Sequence, residues 1–238
     1  MQIDLITQTK LTSIEALMKV GLLRDLTPAQ VQEICKWFRE DSFEQERVIF
    51  HEGDDAARFW LVRDGQIKIV KYGAAGREIV IEVISPGDIF GGAATLMPFQ
   101  PATAQALSSA TTLSLSLEQY KHLLITYPVV SVRVIETLGE RLLGVIRMRA
   151  LAAERVEKRI AHILLKLAHK TGLETSDGMK LNISLTRQDI ADLADTTIET
   201  AIRVMSAFSK QGSIKTLKGG YIVLLDAERL RALSDDSG

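Results

Sequence analysis

Glu199 and Arg203 lie four residues apart in the stretch "TTIETAIRVMSAFSK". If the stretch is helical, one turn separates them and both project from the same face. Two chemistries fit such a pair. As i,i+4 neighbours they form an ordinary surface ion pair, contributing roughly 0.2–0.5 kcal/mol. Alternatively, each meets a base edge: an arginine donates two bonds to guanine O6 and N7, and a glutamate accepts one from cytosine N4. On spacing alone the ion pair is the default.

A second stretch, "FGGAATLMPFQPATAQAL" from Phe90 to Leu107, has the form of a loop that cradles an anion. Backbone N–H groups approach a ligand closely where glycine supplies no Cβ. The arginine fork that usually grips a phosphate is absent from the stretch. Within it, Leu96-Met97-Pro98-Phe99 reads as a hydrophobic plug. The four histidines, His51, His122, His162 and His169, stand singly along the chain. Cys35 is the single cysteine and falls on an apolar helix face, so the chain alone forms neither an intrachain disulfide nor a four-thiolate iron–sulfur cluster. The sequence shows no nucleophile–base constellation, metal-ligand spacing or phosphate-loop motif, which speaks against an enzyme.

The chain of 238 residues is long enough for two modest domains or one large one. Its formal net charge of −1 excludes a global polycation, so any nucleic-acid binding must come from a local patch. Apolar runs such as Ile202–Phe208 are too short for a membrane span, and Met1–Lys10 lacks the continuous apolar core of a signal peptide. A cytoplasmic protein of bacterial style, with no membrane partner and no bound metal, is the expectation.

These residues need elements to position them, and the periodicity supplies three regions. Thr12 to Phe38 reads as helical, with Thr27 as N-cap and Pro28 at the first helical position. From Phe43 to Leu117 the period falls to two. Asp64-Gly65 turns a hairpin, Pro86-Gly87-Asp88 turns again, and two further strands flank Ser108–Ala110. Short strands with glycine turns predict a small antiparallel barrel or jelly roll. From Pro128 to Gly172 the helical period returns, with a break near Ala152–Glu154. Ile135, Leu138, Leu142 and Val145 continue a three-four stripe interrupted by Arg149, the seam of a coiled-coil-like helix or of a helix packed on its own barrel. Beyond it, Thr186 caps one helix with Asp189 three residues on, Asp195 sits in a tight turn, Thr197 caps a second helix, and Lys218–Gly220 turns a hairpin. That order is a winged helix-turn-helix pattern.

With the turns Gly53-Asp54, Asp64-Gly65 and Pro86-Gly87-Asp88, then Phe90-Gly91, the long helix, "DGMKLNISLTRQDIADL" and "ETAIRVMSAF" in this order, the chain resembles the cyclic-AMP receptor protein / fumarate-nitrate regulator (CRP/FNR) family. The resemblance runs from about Gly21 to Leu230. It implies an α+β fold with an N-terminal antiparallel β-roll of the cyclic-nucleotide-binding type over 1–127, a dimerisation helix over 128–153 and a C-terminal winged helix-turn-helix over 154–238. It further implies a homodimeric transcription regulator on palindromic double-stranded DNA, with RNA polymerase as a further partner through a loop over Thr171–Gly178. A ligand-binding module that acts through protein contacts is the alternative.

The resemblance assigns base reading to Glu199 and Arg203, and hence a TGA-like half-site. Ile198 and Ile202 depart from the best-known branches, and an apolar side chain there meets a thymine methyl. Thr186, Arg187, Gln188, Thr197 and Thr200 fall where relatives hold the DNA backbone, with Lys215 and Lys218 in the wing. Ile135, Leu138, Leu142, Val145 and Arg149 fall on the dimer seam. In nucleotide-binding relatives the Phe-Gly stretch continues with a glutamate for the ribose, and an Arg-Ser pair grips the cyclic phosphate. Here those positions are Gly92, Gln100 and Pro101, beside Gly91 and Thr103, while Gly144 and Val145 fall where relatives meet the base. The resemblance therefore leaves a cradle without its grip. Cyclic AMP is not expected, and an iron–sulfur cluster is excluded by cysteine count. Haem sensing a gas, with a histidine or Met97 as ligand, an apolar small molecule, or no effector at all remain open.

Overall fold

The computed structural model describes residues 21–73, 76, 78–92 and 96–235. The part of the expected first helix over 12–20 lies outside them. Helix α1 (Pro28–Ile34) opens on a reciprocal capping box. Gln30 Oε1 accepts from the Thr27 N–H at 2.8 Å, and the Thr27 hydroxyl accepts from the Gln30 N–H. The helix ends in one 3-10 turn, Cys35–Trp37.

Eight strands follow: β1 (Arg39–Phe43), β2 (Val48–Phe50), β3 (Arg58–Asp64), β4 (Ile67–Tyr72), β5 (Glu78–Ile84), β6 (Ile89–Phe90), β7 (Thr103–Ala106) and β8 (Ala110–Ser116). They form two four-stranded sheets, ordered β1-β8-β3-β6 and β2-β7-β4-β5. The jelly-roll expectation is met. Three strands escaped the sequence reading. β2 is only three residues long. β1 is a polar edge strand, "REDSF", without apolar alternation, and β6 is only two residues long, pairing Trp60 with Phe90 and Leu61 with Ile89. Gly65, at φ +75°, closes the β3–β4 hairpin where any Cβ would collide with the Ser109 carbonyl.

The period of two in β3 sorts its side chains between two cores. Phe59 and Leu61 join Leu113, Leu115, Tyr120 and Leu123, with helix α2 (Leu117–Thr126) covering that side. Phe59 stacks on Tyr120 at 4.2 Å. Trp60 and Val62 turn the other way, toward Phe50, Ile67, Ile84 and Phe90. Trp60 stacks on Phe90, and Phe90 on Phe50, each at 5.9 Å.

Helix α3 (Pro128–Leu151) runs unbroken for 24 residues. The chain then turns through 152–155 into α4 (Val156–Thr171), at the expected break. The chain divides into two compact units: one runs to Val70 and over Val83–Arg141, and the other takes Lys71–Glu82 and Leu142 onward.

In the second unit, β9 (Gly172–Thr175) and β10 (Gly178–Leu181) precede α5 (Arg187–Leu193), α6 (Ile198–Lys210), β11 (Ile214–Thr216) and β12 (Ile222–Leu224). The strands form one sheet in the order β11-β12-β10-β9. The stretch Thr171–Gly178, expected as a loop, is largely a strand and its turn. A last helix, α7 (Ala227–Asp235), was not foreseen; it lies against α4 and buries Leu230.

Candidate nucleic-acid interface

Caps and a left-handed turn position the reading helix. The Thr186 hydroxyl accepts from the Asp189 N–H at 3.1 Å, and the Asp189 carboxylate accepts from the Thr186 N–H at 2.7 Å. α5 ends at Ala194, and Asp195 follows at φ +48°, a conformation that aspartate tolerates better than most residues. The Thr197 hydroxyl then accepts from the Thr200 N–H at 3.3 Å and starts α6.

α6 is divided by its period. Ala201, Val204, Met205 and Phe208 are buried against the unit's core. Glu199, Ile202 and Arg203 are exposed on the other side, and Ser206 extends that face by one turn. Ile198 is half-buried at its edge. Among the described residues, neither Glu199 nor Arg203 forms an ion pair or a side-chain hydrogen bond. The i,i+4 ion pair that spacing alone favours is not made.

The expected backbone contacts differ in how they are held. Thr186 and Thr197 are exposed at two helix N-termini. Gln188 donates to Asp192 Oδ1 at 2.7 Å, within α5. Arg187 reaches from α5 to the wing strand and donates to Thr216 Oγ1 at 3.0 Å, and burial lowers its pKa from the ordinary guanidinium value. Lys215 pairs with Asp177 at 3.1 Å, and this bond and charge hold the Asp177 carboxyl below its usual range. Lys218 is exposed in the wing turn beside Gly219 and Gly220, both at φ +81°. The sequence reading missed Ser206 and Arg159. Arg159 carried a signal: it lies four residues before Ile163, a charge set into an apolar stripe.

The glycine-rich cradle in the first unit is closed on itself. Gln100 is only 3% exposed, and its Oε1 accepts from the Gly92 N–H at 2.6 Å. Its backbone bonds Asp54 and Gly53, at 2.8 and 2.9 Å. Gly91 sits at φ +92°. A Cβ on Gly92 would lie 2.6 Å from the Phe99 carbonyl, so no larger residue fits there. Buried Thr103 accepts from the Glu52 N–H at 3.0 Å, and Pro101 is exposed. Leu96, Met97 and Phe99 are exposed, so the expected hydrophobic plug does not form. Aromatic rings from three strands fill the space behind β6 instead.

α3 presents two faces. Val130 and Val134 are buried in the roll core, and Leu138 packs against it. Ile135, Leu142, Val145 and Ile146 are exposed, as is Arg149 at the C-terminal end. Of the expected seam, Leu138 thus faces its own unit. Gly144 and Val145 are also on α3, in the second unit, where a Cβ on Gly144 would lie 3.7 Å from Lys166 Nζ.

Comparison with known proteins decides the lineage. Residues 40–127 match the cyclic nucleotide-binding domain, and residues 158–233 match the Crp-like helix-turn-helix domain. The chain belongs to the CRP/FNR family. The CRP-like cAMP-activated global transcriptional regulator of Mycobacterium tuberculosis is 25% identical over 218 residues, covering 91% of this chain and 97% of that protein. The cyclic AMP receptor protein of Thermus thermophilus is 26% identical over 215 residues, 90% of this chain and 96% of the relative. FixK2 from Bradyrhizobium japonicum shares the fold, with a TM-score of 0.73 at 21% identity over 84% of this chain and 99% of that one. Its CRP/FNR relatives are transcription regulators rather than enzymes, and the second unit carries the family's DNA-binding domain. No described helix is long and apolar enough to cross a membrane.

Proposed function

We propose that the chain is a homodimeric regulator that reads a palindromic DNA site with TGA-like half-sites and takes no cyclic nucleotide. The observation that carries this reading is the outer face of α6. Glu199, Ile202 and Arg203 are exposed together, with the two charged groups engaged by no described residue. A charged pair one turn apart that does not spend itself on an ion pair is available to a G·C step.

The effector reading is supported by the Gln100–Gly92 bond, which occupies a cradle N–H from within the chain, and by the room lacking at Gly92. The candidate ligands do not suit a haem: His51, His122, His169 and Met97 are exposed, and His162 lies in the second unit, 3.5 Å from Ser234 Oγ. The reading therefore keeps an apolar effector or none. The exposed tip of the β9–β10 hairpin is the surface offered to RNA polymerase, in a cytoplasmic setting.

The test is the double variant Glu199→Ala/Arg203→Ala. Both residues are exposed, so the thermal transition should stay within about 0.5 kcal/mol of wild type. Site-selective DNA binding should disappear. Retention of selectivity in a folded double variant would refute the reading and favour a module acting through protein contacts.

A further inference from the structure

The second unit buries a guanidinium that pairs with no carboxylate of the described residues. Arg159, in the first turn of α4, is 9% exposed. Its Nε donates to the Ala194 carbonyl at 2.9 Å and its Nη2 to the Asp195 carbonyl at 3.0 Å. Its Nη1 donates to the carbonyls of Ala152 and Glu154, at 2.9 and 3.2 Å. Neighbouring Lys158, by contrast, pairs with the Glu154 carboxylate at 3.5 Å. Burying an arginine costs several kcal/mol unless its donors are met. Here backbone oxygens meet them.

The four carbonyls fall at two places. Ala152 and Glu154 follow the last residue of α3, Leu151, and Ala194 and Asp195 form the tight turn between α5 and α6. Helix C-termini leave carbonyls without intrahelical partners and carry the negative end of the helix dipole. One positive, planar fork satisfies both sets. Its five donors are fixed in direction, unlike those of a lysine ammonium. The end of the long helix and the turn that aims the reading helix are thereby joined through one side chain.

We propose that Arg159 is a positioning residue for DNA recognition: it fixes the direction of α6 relative to the end of α3, and so sets the half-site spacing the dimer accepts. The proposal rests on the reading that a dimer binds a palindrome. Two reading helices must meet grooves about 34 Å apart. Adding or removing one base pair moves a half-site by about 3.4 Å along the axis and turns it by about a tenth of a helical turn. A rigid joint penalises that mismatch, and a loosened one tolerates it.

The experiment compares wild type, Arg159→Gln and Arg159→Lys on three duplexes with identical half-sites and spacings of the preferred value, one base pair fewer and one more. Fluorescence anisotropy at fixed salt gives the three affinities. Wild type should prefer its own spacing by about tenfold or more, equivalent to about 1.4 kcal/mol. Both variants should bring the three affinities within about threefold of one another. A residue with a merely structural role would lower all three affinities together and leave their ratios unchanged, and that result would overturn the proposal. Failure of both variants to fold would also overturn it, because Arg159 would then be a core element. Indifference of the wild type to spacing does the same. Wild type that binds none of the duplexes refutes the underlying DNA reading instead.

Discussion

Replacing Leu142 by alanine should loosen the dimer without unfolding the protomer. Leu142 is 60% exposed on α3, between Ile135 at 69% and Val145 at 65%. The substitution removes about three carbon groups, worth about 0.8 kcal/mol each when fully covered. With the exposed fraction left for a partner to cover, each copy loses about 1.4 kcal/mol. A two-fold interface presents the position twice, so the dimer loses about 3 kcal/mol, or roughly a hundredfold in dissociation constant. Sedimentation equilibrium measures this directly, and the thermal transition of the protomer should change by less than about 0.5 kcal/mol. Leu138→Ala is the control one turn away: it packs against the roll core. It should cost about 2 kcal/mol of stability and leave the dimer constant alone. A Leu142→Ala dimer within threefold of wild type would show that the exposed stripe is not the seam.

Two other outcomes follow from local geometry. Asp195 adopts φ +48°, so Asp195→Val should destabilise the second unit by about 1–2 kcal/mol, whereas Asp195→Gly should stay within about 0.5 kcal/mol; thermal melts compare them. With Gln100 bonded to Gly92 inside the cradle, about 1 mM cyclic AMP should leave the melting temperature unchanged. A site with a Kd near 10 µM would instead add about 2.7 kcal/mol, a shift of several degrees, and that shift would contradict the reading.

Features set by neighbours in sequence were legible. Thr27 with Pro28, Asp64-Gly65, Thr186 with Asp189, and Thr197 act over three or four residues, and each caps or turns where its type predicts. The alternation in β3 likewise separates its two cores. Features that depend on distant partners were not. β1 is defined by its pairing with β8 rather than by its own polar residues. Leu138 shares the helical period with the exposed stripe and turns inward only because the roll lies there. Leu96, Met97 and Phe99 are apolar by type yet exposed, while Trp60, Phe50 and Phe90 from three distant strands fill the core. The Arg159 joint reaches carbonyls thirty-five and thirty-six residues away, and no local pattern encodes them. The outer face of α6 was readable as a spacing, but its freedom from an ion pair was not.

Selective DNA binding by the purified protein is the most direct test of the central claim. With no effector added, the protein would be titrated onto a duplex carrying two TGA-like half-sites in dyad arrangement and onto a scrambled duplex, each at two salt concentrations. The expected result is tight binding to the dyad, about a thousandfold or more above the scrambled duplex, with the preference kept at the higher salt. Weak binding that falls equally with salt on both duplexes would contradict it.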